Sequence, residues 1–153
     1  MTRAVDILLV EDNTEDAELT LRALRKYDAG KTFHVARDGE EALDYLFNAP
    51  EAADRRLAGV RLILLDLKLP KIDGLEVLEK CKSDPRTRHI PIVILSSSRE
   101  ERDLSRSYRL GVNSYLVKPV DFPQFTDTVR QVGAYWMLLN QLPADSSQPS
   151  RRP

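Results

Sequence analysis

The segment RLILLDLKLP, Arg61 to Pro70, decides the fold. Leu62 to Leu65 form an unbroken apolar run, which a strand covered on both faces requires; a half-exposed strand would alternate. The run ends on Asp66. A lone carboxylate is costly to bury unless it is paired, hydrogen-bonded or bound to a cation. Asp66 is therefore either a strand that happens to end on a polar residue or the working group of a site, and the neighbouring segments separate these readings.

Outward from this run, short apolar stretches alternate with longer amphipathic ones. VDILLV (5–10), TFHVA (32–36), RLILLD (61–66), PIVILS (91–96) and SYLVK (114–118) read as strands. TEDAELTLRALRKY (14–27), GEEALDYLFN (39–48), GLEVLEKCKS (74–83), EERDLSRSYRLG (100–111) and a segment from about Phe122 to Leu142 read as helices. In the first helix Ala17, Leu21 and Leu24 recur at helical spacing, and Asp73 before Gly74 is placed to cap the third. Strict strand–helix alternation predicts parallel βαβ units and hence a doubly wound α/β sheet. One domain over residues 1–142 is expected. APEAADRRLAGV (49–60) reads as a long surface connection or short helical extension. The tail PADSSQPSRRP (143–153) reads as disordered, with no output domain.

Composition narrows the function classes. Among 153 residues, 23 Lys and Arg stand against 24 Asp and Glu. Near-zero net charge gives no reason to expect direct nucleic-acid or anionic-membrane binding, and Arg151 and Arg152 read as solvated tail charge. The N-terminal apolar run is too short for a signal peptide or a membrane span. A single cysteine, Cys81, rules out an internal disulfide and reads as a packing residue. The expected location is cytoplasmic.

In doubly wound sheets, ligands sit beyond the carboxyl ends of the strands. Here the first strand ends in Glu11-Asp12, the third in Asp66, the fourth in Ser96 and the fifth in Lys118. A carboxylate can attack phosphorus when a divalent cation neutralises charge and the site organises the phosphoryl oxygens. Mg2+ suits such a set, because it takes oxygen ligands from one or two carboxylates and keeps several waters. Asp12 and Asp66 are the candidate direct ligands, with Glu11 acting through water. Lys118 offers a compact positive charge, and Ser96 a hydroxyl donor to a phosphoryl oxygen.

LLVEDN, LILLDLKLPKIDGLEVL, IPIVILSSS and GVNSYLVKP together resemble the signature segments of two-component response-regulator receiver domains, over about Val5 to Leu142. The resemblance implies a flavodoxin-like (βα)5 fold with strand order 2-1-3-4-5. It also implies that Asp66 accepts a phosphoryl group from the phosphohistidine of a sensor histidine kinase. It assigns the acidic pair to Glu11 and Asp12, the switch hydroxyl to Ser96, the site lysine to Lys118 and the aromatic switch position to Tyr115. The backbone carbonyl of Lys68 becomes a further Mg2+ ligand, and Lys118-Pro119 matches a peptide bond that is usually cis. Such proteins are phosphoacceptors with at most slow self-dephosphorylation.

Overall length, the 49–60 loop and VGAYWMLLNQLP are similar to small regulators that partner phytochrome kinases, many of which are homodimers. The expected dimer face is that of the fourth helix, fifth strand and fifth helix. In the last helix Phe125, Val129, Val132, Trp136 and Leu139 are spaced to pack on the sheet. Tyr135, Trp136, Met137, Leu138 and Leu142 are the expected interface residues, since a surface helix apolar nearly all round should be covered.

Two positions near the phosphate vary in the family and tune the lifetime of the phosphoryl group. They are Lys68, expected to face solvent, and Ser98. His34 and His89 read as structural or exposed, since two scattered histidines make no zinc site. A haloacid-dehalogenase-type phosphatase would need a second Asp where Lys68 stands. A dinucleotide-binding fold would need a glycine-rich turn after the first strand, where this chain is acidic. A phosphate sink or a pseudo-receiver that binds partners without phosphorylation are the remaining alternatives.

Overall fold

The computed structural model describes residues 5–27, 30–48 and 59–143. Its strands are β1 (Ile7–Val10), β2 (Phe33–Ala36), β3 (Leu62–Leu65), β4 (Ile92–Ser96) and β5 (Ser114–Val117). Its helices are α1 (Thr14–Tyr27), α2 (Gly39–Phe47), α3 (Gly74–Ser83), α4 (Glu101–Arg109) and α5 (Phe122–Ala134), followed by a π-helical turn over Tyr135–Leu139. The strands form one parallel sheet in the order β2-β1-β3-β4-β5, the flavodoxin-like arrangement expected from the sequence. The expected strands and helices are all present, most of them a residue or two shorter. Most of the 49–60 connection and all but the first residue of the 143–153 tail lie outside the described residues.

The pleat divides the apolar runs between two cores. Leu8, Val10, Ile63, Leu65, Ile92 and Ile94 point to one face, where α2 and α3 cover them with Ala42, Leu46, Leu75, Val77, Leu78 and Cys81. Ile7, Leu9, Leu62, Leu64, Val93 and Leu95 point to the other, against Ala17, Ala23 and Leu24 of α1 and Phe125 and Val129 of α5. This two-sided covering explains why β1, β3 and β4 lack polar alternation. Each fully buried Leu or Ile adds about 1.5–3 kcal/mol. Cys81 is buried, and burial pushes its thiol up to about 12, in keeping with a packing role. Among the described residues no helix is long and apolar enough to cross a membrane.

Every α-helix start but that of α4 is fixed by a side-chain cap. Asn13, Asp38, Asp73 and Asp121 each accept a hydrogen bond from a backbone N–H three residues on, at 2.8 to 3.1 Å. The end of α5 departs from expectation. Its last turn widens, with Asn140 N–H donating to Tyr135 O at 2.8 Å, a five-residue step that turns the following side chains off the helical pattern. Met137, expected on the interface, is therefore buried in the protein's own core, whereas Leu139, expected to pack on the sheet, is exposed. Arg61 Nη2 secures the turn by donating to the Met137 carbonyl at 2.8 Å.

Parallel register levels the strand ends. Val10 pairs with Leu65, so Glu11 and Asp66 follow side by side, and Asp66 N–H donates to Val10 O at 3.0 Å. The first residue of α3 then closes on this edge. A Cβ on Gly74 would lie 2.2 Å from the Asp66 carbonyl oxygen and 2.7 Å from Leu67 Cα, so only glycine fits. Gly74→Ala is expected to lower stability by about 2 kcal/mol through this overpacking. Urea denaturation would measure it, and a loss under about 0.5 kcal/mol would show that the edge can yield.

Candidate functional site

Two of the residues expected at the strand ends, Glu11 and Asp66, converge on one ammonium group, that of Lys118. Lys118 follows β5, and its N–H is fixed on the Ser96 carbonyl at 2.8 Å. Its Nζ donates to Glu11 Oε1 at 2.7 Å, to Asp16 Oδ2 at 2.8 Å and to Asp66 Oδ2 at 3.1 Å. Glu11 and Asp66 are buried, Asp12 is exposed, and Asp16 lies between. The Lys118–Pro119 bond is not cis, contrary to expectation; no peptide bond among the described residues is. Lys118 still reaches the site, because pairing of β4 with β5 carries it there.

Asp16 is a partner that sequence reading missed. It sits in the first turn of α1, where acidic residues are common for helix-dipole reasons alone. Its backbone is held at both ends, N–H to Asn13 Oδ1 at 2.9 Å and carbonyl from Thr20 Oγ1 at 2.8 Å.

Burial pushes the Glu11 carboxyl up to about 7, with Asp66's charge adding to the rise and the Lys118 hydrogen bond opposing it. Burial alone would lower Lys118, but hydrogen bonds to Asp16 and Glu11 and the charge of Asp66 outweigh it and raise the group overall. The ammonium is thus held charged, while the acidic set around it carries more negative charge than one lysine offsets. One oxygen each of Glu11, Asp12 and Asp66 lies within 4.8 Å of the others. Hard oxygen donors so gathered fit a divalent cation of the Mg2+ or Mn2+ kind.

A cleft of about 280 Å³ opens beside this cluster, lined by Asp12, Lys68, Asp73 and Asp103 among others. Lys68 extends to solvent as expected, 65% exposed, its Nζ 3.7 Å from Asp103 Oδ2. Its backbone N–H lies 3.4 Å from Asp66 Oδ1. Ser96 is fully buried, and its Oγ accepts from Ser98 N–H at 3.2 Å. Tyr115 is half-buried, its hydroxyl donating to the Ser98 carbonyl at 2.9 Å; burial pushes its phenol up. Asp103, buried in α4, is a second residue that sequence reading missed. His34 stacks on Tyr45 at 4.1 Å and His89 is exposed, so neither joins the site. Trp136 and Leu142 are half-buried, and Tyr135 and Leu138 are exposed.

Lys118→Met would leave two buried carboxylates without their cation. A loss of about 3 kcal/mol in the metal-free protein is expected at pH 7. With the lysine's downward pull on Glu11 gone, that carboxyl keeps its proton to higher pH, so the deficit should narrow on acidification and widen toward alkaline pH. Denaturant titrations of both proteins across pH check the size and the sign.

Residues 7–130 match the response regulator receiver domain family. The chain is 44% identical over 137 residues to the probable methanogenesis regulatory protein FilR2 of Methanothrix harundinacea, covering 90% of this chain and 86% of that one. Among solved structures, the phosphorylated cyanobacterial phytochrome response regulator RcpA superposes with a TM-score of 0.84 at 40% identity, over 93% of this chain and all of that one. The bacteriophytochrome response regulator AtBRR is 54% identical, with a TM-score of 0.66 over 92% of this chain and 100% of that one. The Mn2+-bound form of the response regulator Rcp1 matches at 0.80 and 35% identity, over 92% and 99%. The strand order, the acidic cluster beside a half-buried lysine and these likenesses agree: the chain belongs to the response-regulator receiver domain family and is homologous to the phytochrome response regulators.

Proposed function

We propose that Asp66 is the phosphoacceptor of this receiver and that a phytochrome-type sensor histidine kinase is its donor in the cytoplasm. The observation that carries the reading is the sharing of Lys118 by Asp66, Glu11 and Asp16 beside Asp12, which lines the cleft. Similarity to RcpA and AtBRR supports the choice of kinase. In the transfer an Asp66 carboxylate oxygen bonds to phosphorus as the phosphorus–nitrogen bond to the kinase histidine breaks, and that bond's electron pair stays with the imidazole. Lys118 moves from Asp66 Oδ2 to a phosphoryl oxygen, and the Ser96 hydroxyl donates to another.

Mg2+ fits the acidic cluster, held by Asp12, Asp66 and the Lys68 carbonyl, with Glu11 through water; when bound it offsets the charge of the phosphoryl oxygens. The phosphoryl group adds about −1.5 to −2 of charge, enough to draw Ser96 inward and let Tyr115 rotate behind it. The protein acts as a signalling module with no catalytic turnover of its own beyond slow loss of the phosphoryl group.

Incubation with a phosphorylated phytochrome kinase and Mg2+ should label the wild type and leave Asp66→Asn unlabelled, with yield differing between red and far-red light. Equal labelling of Asp66→Asn would refute the acceptor. Labelling by acetyl phosphate but by no phytochrome kinase would remove the photoreceptor.

The partner surface in this reading is the face of α4, β5 and α5, used for a homodimer. Tyr135, Leu138 and Leu139 in the turn that ends α5 are 50%, 59% and 69% exposed and Tyr108 of α4 is 56% exposed, an apolar presence that a covered interface accounts for. Met137 has no part in it, being buried. Light scattering should find a dimer for the wild type and a monomer for Tyr135→Glu; a monomeric wild type would end the proposal.

A further inference from the structure

We propose that Asp103 is a positioning residue of the phosphoacceptor site: its carboxylate holds Ser98, and through Ser98 the Ser96 hydroxyl and the Tyr115 side chain, in the unphosphorylated arrangement. The inference rests on the reading of Asp66 as the acceptor and goes beyond it by naming what restrains the switch.

All three polar groups of Ser98 are engaged. Its N–H donates to Ser96 Oγ at 3.2 Å, its carbonyl accepts from Tyr115 Oη at 2.9 Å, and its hydroxyl donates to Asp103 Oδ2 at 2.5 Å. The Ser98 hydroxyl oxygen also accepts from Glu100 N–H at 3.3 Å, closing the turn that leads into α4. The two groups that must move in the switch are thus both bonded to one residue, and a side chain from the next helix anchors that residue.

An acidic residue in the first turn of a helix needs no special purpose when it is solvated, as Glu101 is. Asp103 differs because it is 5% exposed. A buried carboxylate is retained when hydrogen bonds or charges compensate it, and the compensation here comes from Ser98 and, at 3.7 Å, from the Lys68 ammonium. Lys68 and Ser98 are the two positions flanking the acceptor and the switch hydroxyl, and Asp103 ties them across the cleft that it lines. The short hydrogen bond to Ser98 makes Asp103 the anchor of this loop.

Breaking the anchor should release residues 97–100, raise the population of the switched arrangement and speed phosphorylation. Asp103 also adds negative charge to the cleft, which would slow an incoming phosphoanion by repulsion alone. The variants separate the two effects. Ser98→Ala removes the anchor and keeps the charge, Asp103→Ala removes both, and Asp103→Asn keeps an acceptor oxygen and removes the charge.

Two measurements on the full chain decide. Amide hydrogen exchange of the unphosphorylated protein should quicken about tenfold over 98–100 in both alanine variants, with β3 unchanged. Labelling by acetyl phosphate with Mg2+ should quicken about threefold or more in each. The double alanine variant should be no faster than the faster single one, because both lose the same contact. Asp103→Asn should stay within about twofold of wild type.

Unaltered exchange in the two alanine variants overturns the proposal, as do labelling rates like wild type. Multiplicative rates in the double variant, or Asp103→Asn matching Asp103→Ala, overturn it in favour of charge. If the wild type takes no label, the Asp66 reading falls, and hydrogen exchange alone still decides whether Asp103 anchors the loop.

Discussion

One ammonium group shared by three carboxylates organises the carboxyl edge of the sheet. The partners of Lys118 lie 107, 102 and 52 residues away in sequence, so the contact ties β1, α1 and β3 to the end of β5. Taking these charges out of water is costly, and the attraction between them repays that cost only when the geometry is good. Here every Nζ–oxygen distance is 3.1 Å or less. The arrangement still leaves the acidic side in excess, and burial, with the charge of Asp66 adding to it, makes Glu11 hold its proton toward neutrality. The edge is held together by these contacts and is unbalanced enough to favour a second cation.

Much of this edge was legible before any coordinates. Leu62 to Leu65 had to be covered on both sides, and parallel strands with helical crossovers are the arrangement that does so. Once the strands are parallel their carboxyl ends coincide, which brings Glu11, Asp12, Asp66, Ser96 and Lys118 together. Asp16 and Asp103 were not legible, for a common reason. Each sits in a first helical turn crowded with other acids, and the sequence does not show which of those carboxylates the tertiary packing will bury. The end of α5 was misread for a different reason. Tyr135 to Leu139 is apolar on every side, so periodicity names no inward face, and the widened turn exchanges Met137 for Leu139. The Lys118–Pro119 bond was expected to be cis by resemblance alone, and strand pairing places the lysine without it.

Asp12 and Asp66 stand in unlike environments despite belonging to one cluster. Asp66 is buried and shares the lysine, whereas Asp12 is open to solvent at the cleft. In the proposed metal site a cation arriving from solution would therefore meet Asp12 first, with Asp66 already oriented by Lys118.

The glycine that begins α3 has a bearing on how a signal can leave this site. With Gly74 in direct contact with the Asp66 carbonyl, the β3–α3 side of the cleft has no slack. The opposite side, from Ser96 through Ser98 to Tyr115, is joined by hydrogen bonds that can be exchanged one for another. A change at Asp66 thus meets a rigid wall on one flank and a re-formable one on the other. The site is mechanically one-sided, and under the proposed phosphorylation a change there would pass toward α4 and β5, because the other flank is packed without slack.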